Sequence, residues 1–214
     1  MPIKEFKIDH KGKLVLWHIL ETKEELESLL SEAKRPDFIP NPPFHAPKRN
    51  LEWMAARLTL IHLEGPEADL IYDKNGKPGL KSGKGHISIS HSLPYVAIYY
   101  NTSHSVGIDL EQLHPKIERI EKKFVNEAEE RWLSGVNKLH GLYLIWAAKE
   151  SVFKMMGGGG ILFREHMELK PVTISSKGQA TIIYKKEGMQ EVQLQYEFLD
   201  NMILVYTIAP EAEI

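Results

Sequence analysis

Two short segments carry residues that could do chemistry together: Val106-Gly107-Ile108-Asp109-Leu110-Glu111 and, further on, Trp146-Ala147-Ala148-Lys149-Glu150-Ser151-Val152-Phe153-Lys154. The first reads as a β-strand. Side chains alternate along a strand, so Asp109 and Glu111 point to one face while Val106, Ile108 and Leu110 face a core. The second reads as a helix on which Trp146, Glu150 and Lys154 recur every four residues and share one face. Three carboxylates and an ammonium group would suit a magnesium ion beside a phosphate-binding cation. Each piece also has a plain alternative. A D-x-E pair can sit on the solvent face of a strand, and Glu followed four residues later by Lys is a common surface pair on helices. Trp146 weighs against pure solvation, because an indole on that stripe seeks partial burial and the stripe then lines a groove or an interface.

Other candidates are weaker alone. Ser90-His91-Ser92 falls at the end of a strand, where His91 could bind a ligand or simply hydrogen-bond locally. No G-x-S-x-G elbow accompanies it, and His86, His91 and Asp109 follow no standard metal-ligand spacing. The glycine run 157–160 follows a helix C-terminus, where the dipole repels anions, so it reads as a stop and turn rather than a phosphate loop. Lys48, Arg49 and Arg57 flank a second helix. They form either a solvated basic face or, for Lys48 and Arg49 near its start, an anion site with its free N–H groups.

These residues need elements to hold them. Residues 14–19 read as a strand, and Thr22 with Glu25 forms a capping-box pattern opening a helix to about 33. The prolines at 36, 40, 42, 43 and 47 mark a loop over 35–47, followed by a helix from about 49 to 63. Asp73 to Gly79 is a turn and 80–86 a loop. Strands are expected at 87–90, 95–100 and 105–111. Helices follow at about 116–123, at 126–134 with Asn126 as cap and Glu129 three residues on, and at 139–156. Strands at 171–176, 180–185, 191–199 and 202–208 close the chain. No repeat is visible. The composition shifts near Asn101-Thr102-Ser103-His104, a segment too short for a long flexible linker.

Composition bounds the function class. The 214 residues are 43% hydrophobic and 26% charged, ordinary for a soluble globular protein. The net charge of −2 gives no global electrostatic case for nucleic acid or an anionic membrane as partner. Absence of cysteine excludes disulfides, thiolate catalysis and cysteine-bound zinc. The N-terminus lacks an apolar signal region and reads as mature protein, and no apolar run approaches bilayer length, so a cytoplasmic location is the expectation.

Taken in order, Gly76-Lys77-Pro78, Ile87-Ser88-Ile89-Ser90-His91-Ser92, the D-x-E strand and the W-A-A-K-E-S-V-F-K helix resemble the 4′-phosphopantetheinyl transferase superfamily. Arg49-Asn50-Leu51-Glu52-Trp53-Met54-Ala55-Ala56-Arg57 resembles that family's R-x-x-E-W-x-x-x-R helix. The resemblance runs from about residue 45 to 170, and the length and two-half layout are similar to the Sfp-type branch, a monomeric pseudo-dimer. It implies an α+β fold of two similar subdomains, 1–103 and 104–214. Each would pack helices on a small antiparallel sheet, related by a pseudo-twofold axis, with the site in the cleft between them. It also implies transfer of phosphopantetheine from coenzyme A to a serine of an apo acyl or peptidyl carrier protein, with release of 3′,5′-ADP.

By the same resemblance Asp109, Glu111 and Glu150 bind Mg2+ with the CoA pyrophosphate. Lys154 holds the pyrophosphate, and Glu150 is the candidate base for the carrier serine, with Asp109, Glu150 and Lys154 forming the catalytic set. Lys48, Arg49, Lys77, Ser90 and His91 cradle the 3′-phosphate and adenine, while Trp146 and Lys149 shape the site. The carrier would dock near 113–140, where Lys116, Arg119, Lys122, Lys123 and Arg131 interleave with Glu118, Glu121, Glu127, Glu129 and Glu130. One departure stands out: Met155-Met156-Gly157-Gly158-Gly159-Gly160 replaces the family's frequent Gly-Lys-Gly. Two rivals follow from other classes, a non-catalytic CoA- or carrier-binding module of the same fold and a magnesium-dependent pyrophosphate hydrolase.

Overall fold

A computed structural model describes residues 3–8, 11–133 and 137–208. The first half runs β1 (Ile3–Lys7), β2 (Gly12–His18), α1 (Lys23–Glu32), α2 (Pro47–Glu64), β3 (Leu70–Tyr72), β4 (Pro78–Leu80), β5 (His86–Ser92) and β6 (Tyr95–Asn101). The second runs β7 (Ile108–Gln112), α3 (Glu121–Phe124), α4 (Glu127–Leu133), α5 (Lys138–Met156), α6 (Phe163–His166), β8 (Met167–Leu169), β9 (Lys177–Tyr184), β10 (Gln190–Leu199) and β11 (Met202–Thr207). The α+β class holds. One antiparallel sheet has the order β1-β2-β6-β5, a second has β7-β11-β10-β9-β8, and β3 pairs with β4 as a separate hairpin.

Three apolar clusters account for the layering. Trp17, Val96 and Ile98 of the first sheet pack against Leu26 and Leu30 of α1 and Met54 and Leu60 of α2. Ile182, Leu194, Ile203 and Val205 of the second sheet pack against α5 through Leu142, Ile145 and Val152. Between the sheets, Leu14, Leu16, Ala97 and Tyr99 meet Ile108, Leu110, Leu204 and Tyr206. The first sheet is therefore covered on both faces. This explains why Tyr95-Val96-Ala97-Ile98-Tyr99-Tyr100 reads as an unbroken apolar run rather than an alternating one.

The edge strands β5 and β7 meet where the two sheets join. The serine hydroxyls of β5 replace ladder bonds there: Ser88 Oγ accepts from Ile108 N at 3.1 Å and Ser90 Oγ from Leu110 N at 3.1 Å. Those amides would otherwise be buried donors without partners. Just before β7, Gly107 lets α5 approach closely. A Cβ there would lie 1.8 Å from the carbonyl oxygen of Ser151.

The Thr22–Glu25 capping box forms as expected, with Thr22 N donating to Glu25 Oε2 at 2.7 Å and Glu25 N donating to Thr22 Oγ1 at 3.2 Å. Gly157, at φ 82°, ends α5 as expected. Pro47 occupies the first turn of α2, and Asn50 folds the proline-rich loop over it by accepting from Phe44 N at 2.9 Å. The expected strand at 171–176 is not one. Its Val172 and Ile174 pack on the core, but Tyr196 hydroxyl holds the backbone, accepting from Ser175 N at 3.2 Å and donating to Thr173 O at 3.3 Å. The strand before β9 is instead the short Met167–Leu169. β1 and the β3–β4 hairpin are additions to the sequence reading, and β7 begins at Ile108 rather than at Ser105. Among the described residues no helix is long and apolar enough to cross a membrane.

Candidate active site

The face of β7 opposite the inter-sheet core points toward α5, and it carries Asp109 and Glu111. Asp109 is 3% exposed. Its Oδ1 accepts from Lys154 Nζ at 2.7 Å and from Ser90 Oγ at 3.1 Å, while Oδ2 is buried without a hydrogen-bond partner. Lys154 Nζ also donates to Ser90 Oγ at 3.0 Å. One turn and two turns earlier on α5 stand Glu150 and Trp146, and Trp146 Nε1 donates to Glu111 Oε1 at 3.1 Å. The i, i+4, i+8 stripe thus faces the D-x-E pair directly. Ser90, Asp109, Glu111, Glu150 and Lys154 line one cleft of about 370 Å³.

The cleft holds three carboxylates against one ammonium group, and the imbalance shows in their acidities. Burial, reinforced by the charge of Asp109 and Glu111, pushes Glu150 up to about 7 against the pull of Lys154. Glu111 is raised by burial and by Asp109, opposed by the Trp146 hydrogen bond. A dication would reverse both shifts and give the stranded Asp109 oxygen a partner. The donor set is all carboxylate, as a hard oxygen-seeking ion prefers. Among the described residues no group of three Asp, Glu or His side chains is arranged to hold a metal ion by itself.

A second cavity, of about 250 Å³, adjoins the cleft and shares Ile89, His91 and Lys154 with it. Its wall is cationic and aromatic. Arg57 is 7% exposed, with its guanidinium carbon 3.2 Å from the Trp53 ring centroid and Nη2 3.2 Å from Tyr72 Oη. No carboxylate is in contact with it among the described residues, and burial lowers its pKa. Arg49 Nη1 lies 2.5 Å from His91 Nε2, and His91 Nδ1 lies 3.2 Å from Glu52 Oε2. A buried guanidinium without a carboxylate contact, beside aromatic rings and a second arginine, suits a phosphorylated heterocycle.

The expected residues distribute unevenly. Asp109, Glu111, Glu150, Lys154, Ser90, His91 and Arg49 come together. Lys48 is exposed and lines neither cavity. Lys77 lines the second cavity, but its Nζ donates to Ser105 Oγ at 2.8 Å and to Met155 O at 2.6 Å. It thereby ties the β3–β4 turn to the last carbonyls of α5. Asn75 Nδ2 adds a bond to Gly157 O at 3.1 Å.

Lys149 points away from the cleft. It is fully buried, donating to Glu129 Oε2 at 2.8 Å and to the carbonyls of Phe124 at 2.6 Å and Phe163 at 3.2 Å. Glu129 in turn accepts from Leu169 N and Asn126 N, the latter completing the expected cap of α4. Burial pulls the two acidities toward neutrality. Their mutual attraction and the matched hydrogen bonds favour the charged pair.

Arg57, which lines the second cavity, and Glu52, which faces His91, stand in the R-x-x-E-W-x-x-x-R helix but received no site role from the sequence. A signal existed: Arg49, Glu52, Trp53 and Arg57 fall at i, i+3, i+4 and i+8, on one helical face.

Comparison with known proteins gives one family. The sequence model of the 4′-phosphopantetheinyl transferase superfamily matches residues 105–205, from the approach to β7 through β11. The chain is 28% identical over 134 residues to the 4′-phosphopantetheinyl transferase gsp of Aneurinibacillus migulanus, covering 60% of this chain and 54% of that protein. It is 27% identical over 116 residues to the 4′-phosphopantetheinyl transferase AcpT of Salmonella typhi, covering 51% and 60%. With AcpT of Escherichia coli K12 it shares 27% over 148 residues, covering 61% and 70%. The matched region therefore spans between about half and two thirds of these relatives' lengths. The carboxylate strand, the α5 stripe and most of the sheet that supports both lie inside the region, residues 105–205, that matches the 4′-phosphopantetheinyl transferase superfamily.

Proposed function

We propose that the chain transfers the 4′-phosphopantetheine arm of coenzyme A to a serine hydroxyl of an apo acyl or peptidyl carrier protein, releasing 3′,5′-ADP. The observation that carries this reading is the junction of the two cavities. A carboxylate-rich cleft and a cationic, aromatic-walled cavity share His91 and Lys154. Coenzyme A has that division of chemistry, an adenosine 3′-phosphate joined to a pyrophosphate. The nucleotide end would occupy the cavity of Arg49, Arg57 and His91, and the pyrophosphate would reach Lys154 at the junction.

In this reading the carrier serine oxygen forms a bond to the β-phosphorus, and the bond from that phosphorus to the bridging oxygen of 3′,5′-ADP breaks. Displacement at phosphorus needs placement and charge neutralisation more than covalent help. Asp109, Glu111 and Glu150 would hold Mg2+, which when bound would neutralise pyrophosphate charge. Lys154 has one donor left after its bonds to Asp109 and Ser90, and it would stabilise the negative charge growing on the leaving phosphate. Glu150 would be the candidate acceptor of the serine proton, directly or through water. Trp146 keeps Glu111 aimed into the cleft.

The two halves, 1–103 and 104–214, would act as subdomains of one Sfp-type unit. One chain supplies both walls, so a monomer would be complete. The exposed Lys116, Arg119, Lys122, Lys123 and Arg131 near the cleft's second half would meet an acidic carrier. The test is to incubate the protein with CoA, Mg2+ and a panel of apo carrier proteins and weigh each carrier by mass spectrometry. A gain of one phosphopantetheine arm supports transfer. CoA left intact with every carrier unchanged refutes it, and CoA cleaved without an acceptor points to a hydrolase.

A further inference from the structure

Glu52 lies on α2 outside the carboxylate cleft, next to Trp53 and about one turn from Arg49. Its carboxylate is 15% exposed, and it reaches across to β5. Oε2 sits 3.2 Å from His91 Nδ1, and Oε1 accepts from Leu93 N at 3.4 Å. The other ring nitrogen, Nε2, lies 2.5 Å from Arg49 Nη1. A guanidinium only donates, so Nε2 must accept and the proton of the neutral ring must be on Nδ1, the nitrogen that faces Glu52. Arg49 and Glu52 thus set the tautomer from the two sides of the ring, with Nε2 beside the cationic cavity.

We propose that Glu52 is the positioning residue of the anion site: it holds His91 in the Nδ1–H tautomer and supports the imidazolium that forms when an anionic phosphate enters beside Nε2. This rests on the reading of the cavity as a CoA nucleotide site. In the free protein burial, Arg49 and Lys154 favour the neutral ring, while Glu52 and, more weakly, a backbone hydrogen bond favour the charged one. Those four side chains, two from α2, one from β5 and one from α5, are the charged or titratable groups that act on one another there. An entering phosphate draws Arg49 off Nε2 and offsets the two cations, so solvent supplies a proton to Nε2 and the imidazolium then donates to the phosphate. Glu52 stays ionised throughout. A carboxylate behind an imidazole works this way at many ligand-binding histidines, by orienting the ring and raising its basicity.

The probe is adenosine 3′,5′-bisphosphate, bound by the full chain and followed by calorimetry in buffers of different ionisation enthalpy. The wild type is expected to take up a fraction of a proton at pH 7 and to bind more tightly as pH falls toward 6. Glu52→Gln keeps the shape and removes the charge. It should take up less than half as much and bind about tenfold more weakly at pH 6.5, the equivalent of one pKa unit of lost support. A variant that binds more weakly but keeps the wild-type uptake would assign Glu52 a merely structural role and overturn the inference. So would unchanged affinity and uptake, with the nucleotide site left standing. Absence of bisphosphate binding by the wild type would instead remove the nucleotide site itself, and this inference with it. Should Glu52→Gln not fold, nitrogen-15 NMR of wild-type His91 decides: an Nε2–H tautomer in the free protein contradicts the assignment.

Discussion

Replacing Lys149 by Met removes the one buried ammonium group from the support of the active helix. Lys149 and Glu129 are both fully buried. Methionine fills most of the volume, so packing loss is small and the charge dominates. Glu129 keeps its bonds from Leu169 N and Asn126 N but loses its counter-ion, and the carbonyls of Phe124 and Phe163 lose a donor. Breaking a buried pair from one side costs about 3–5 kcal/mol. The alternative is for Glu129 to accept a proton at pH 7. From an ordinary carboxyl acidity near 4.5 that costs about 3.4 kcal/mol, at 1.36 kcal/mol per unit. The two routes agree, and for a chain of this size they correspond to a fall in Tm of about 10 °C.

The sign of the pH dependence follows. Without Lys149 the folded pKa of Glu129 rises further above its unfolded value. The unfolded chain releases that proton at lower pH than the folded one, so the deficit grows as pH rises and shrinks as pH falls, by up to about 1.4 kcal/mol per unit. Chemical denaturation at pH 7 and 5.5 should show roughly 2 kcal/mol recovered at the lower value, and Lys149→Met with Glu129→Leu should recover stability at both. A loss below about 1 kcal/mol, equal at both pH values, would refute the assignment of a charged buried pair.

Three other outcomes follow from the site. Gly107→Ala places a Cβ against the Ser151 carbonyl, so α5 must back away from β7; thermal unfolding should register a loss of about 3 kcal/mol, and a loss near zero would contradict the close approach. Arg57→Met removes a buried cation whose contacts are neutral, so binding of 3′,5′-ADP should weaken by about tenfold to a hundredfold with little change in Tm, measured by calorimetry. Because Glu150 is pushed up to about 7, protons compete with a cation in the cleft; Mg2+ affinity should rise between pH 6 and 8 with proton release, and Glu150→Gln should flatten that dependence.

Periodicity made the helices legible. The cap at Thr22, the stop at Gly157 and the Trp146–Glu150–Lys154 stripe all follow from local spacing. The D-x-E strand was legible as a strand, but the burial of Asp109 was not, because that depends on Ser90 and Lys154 arriving from two other elements. The segment 171–176 misled because Val172, Thr173 and Ile174 have strand-like side chains. Its backbone is instead secured by one tyrosine hydroxyl, which no local pattern announces. Lys48 and Arg49 are neighbours of equal charge, and only the direction of α2 against β5 separates them. Lys77 was legible as a site residue, while its engagement with the α5 carbonyl depends on how the hairpin folds back across the halves.

Asp109, Glu111 and Glu150 are proposed to form one metal-dependent transfer site with Lys154. The most direct measurement is the intact mass of an apo carrier protein incubated with CoA and the wild type, Asp109→Asn or Glu150→Gln, each with Mg2+ or with excess chelator. One added phosphopantetheine arm is expected for the wild type with Mg2+ alone, and no addition for either variant while its circular dichroism stays that of the wild type. Transfer by either folded variant, or by the wild type in chelator, would contradict the account.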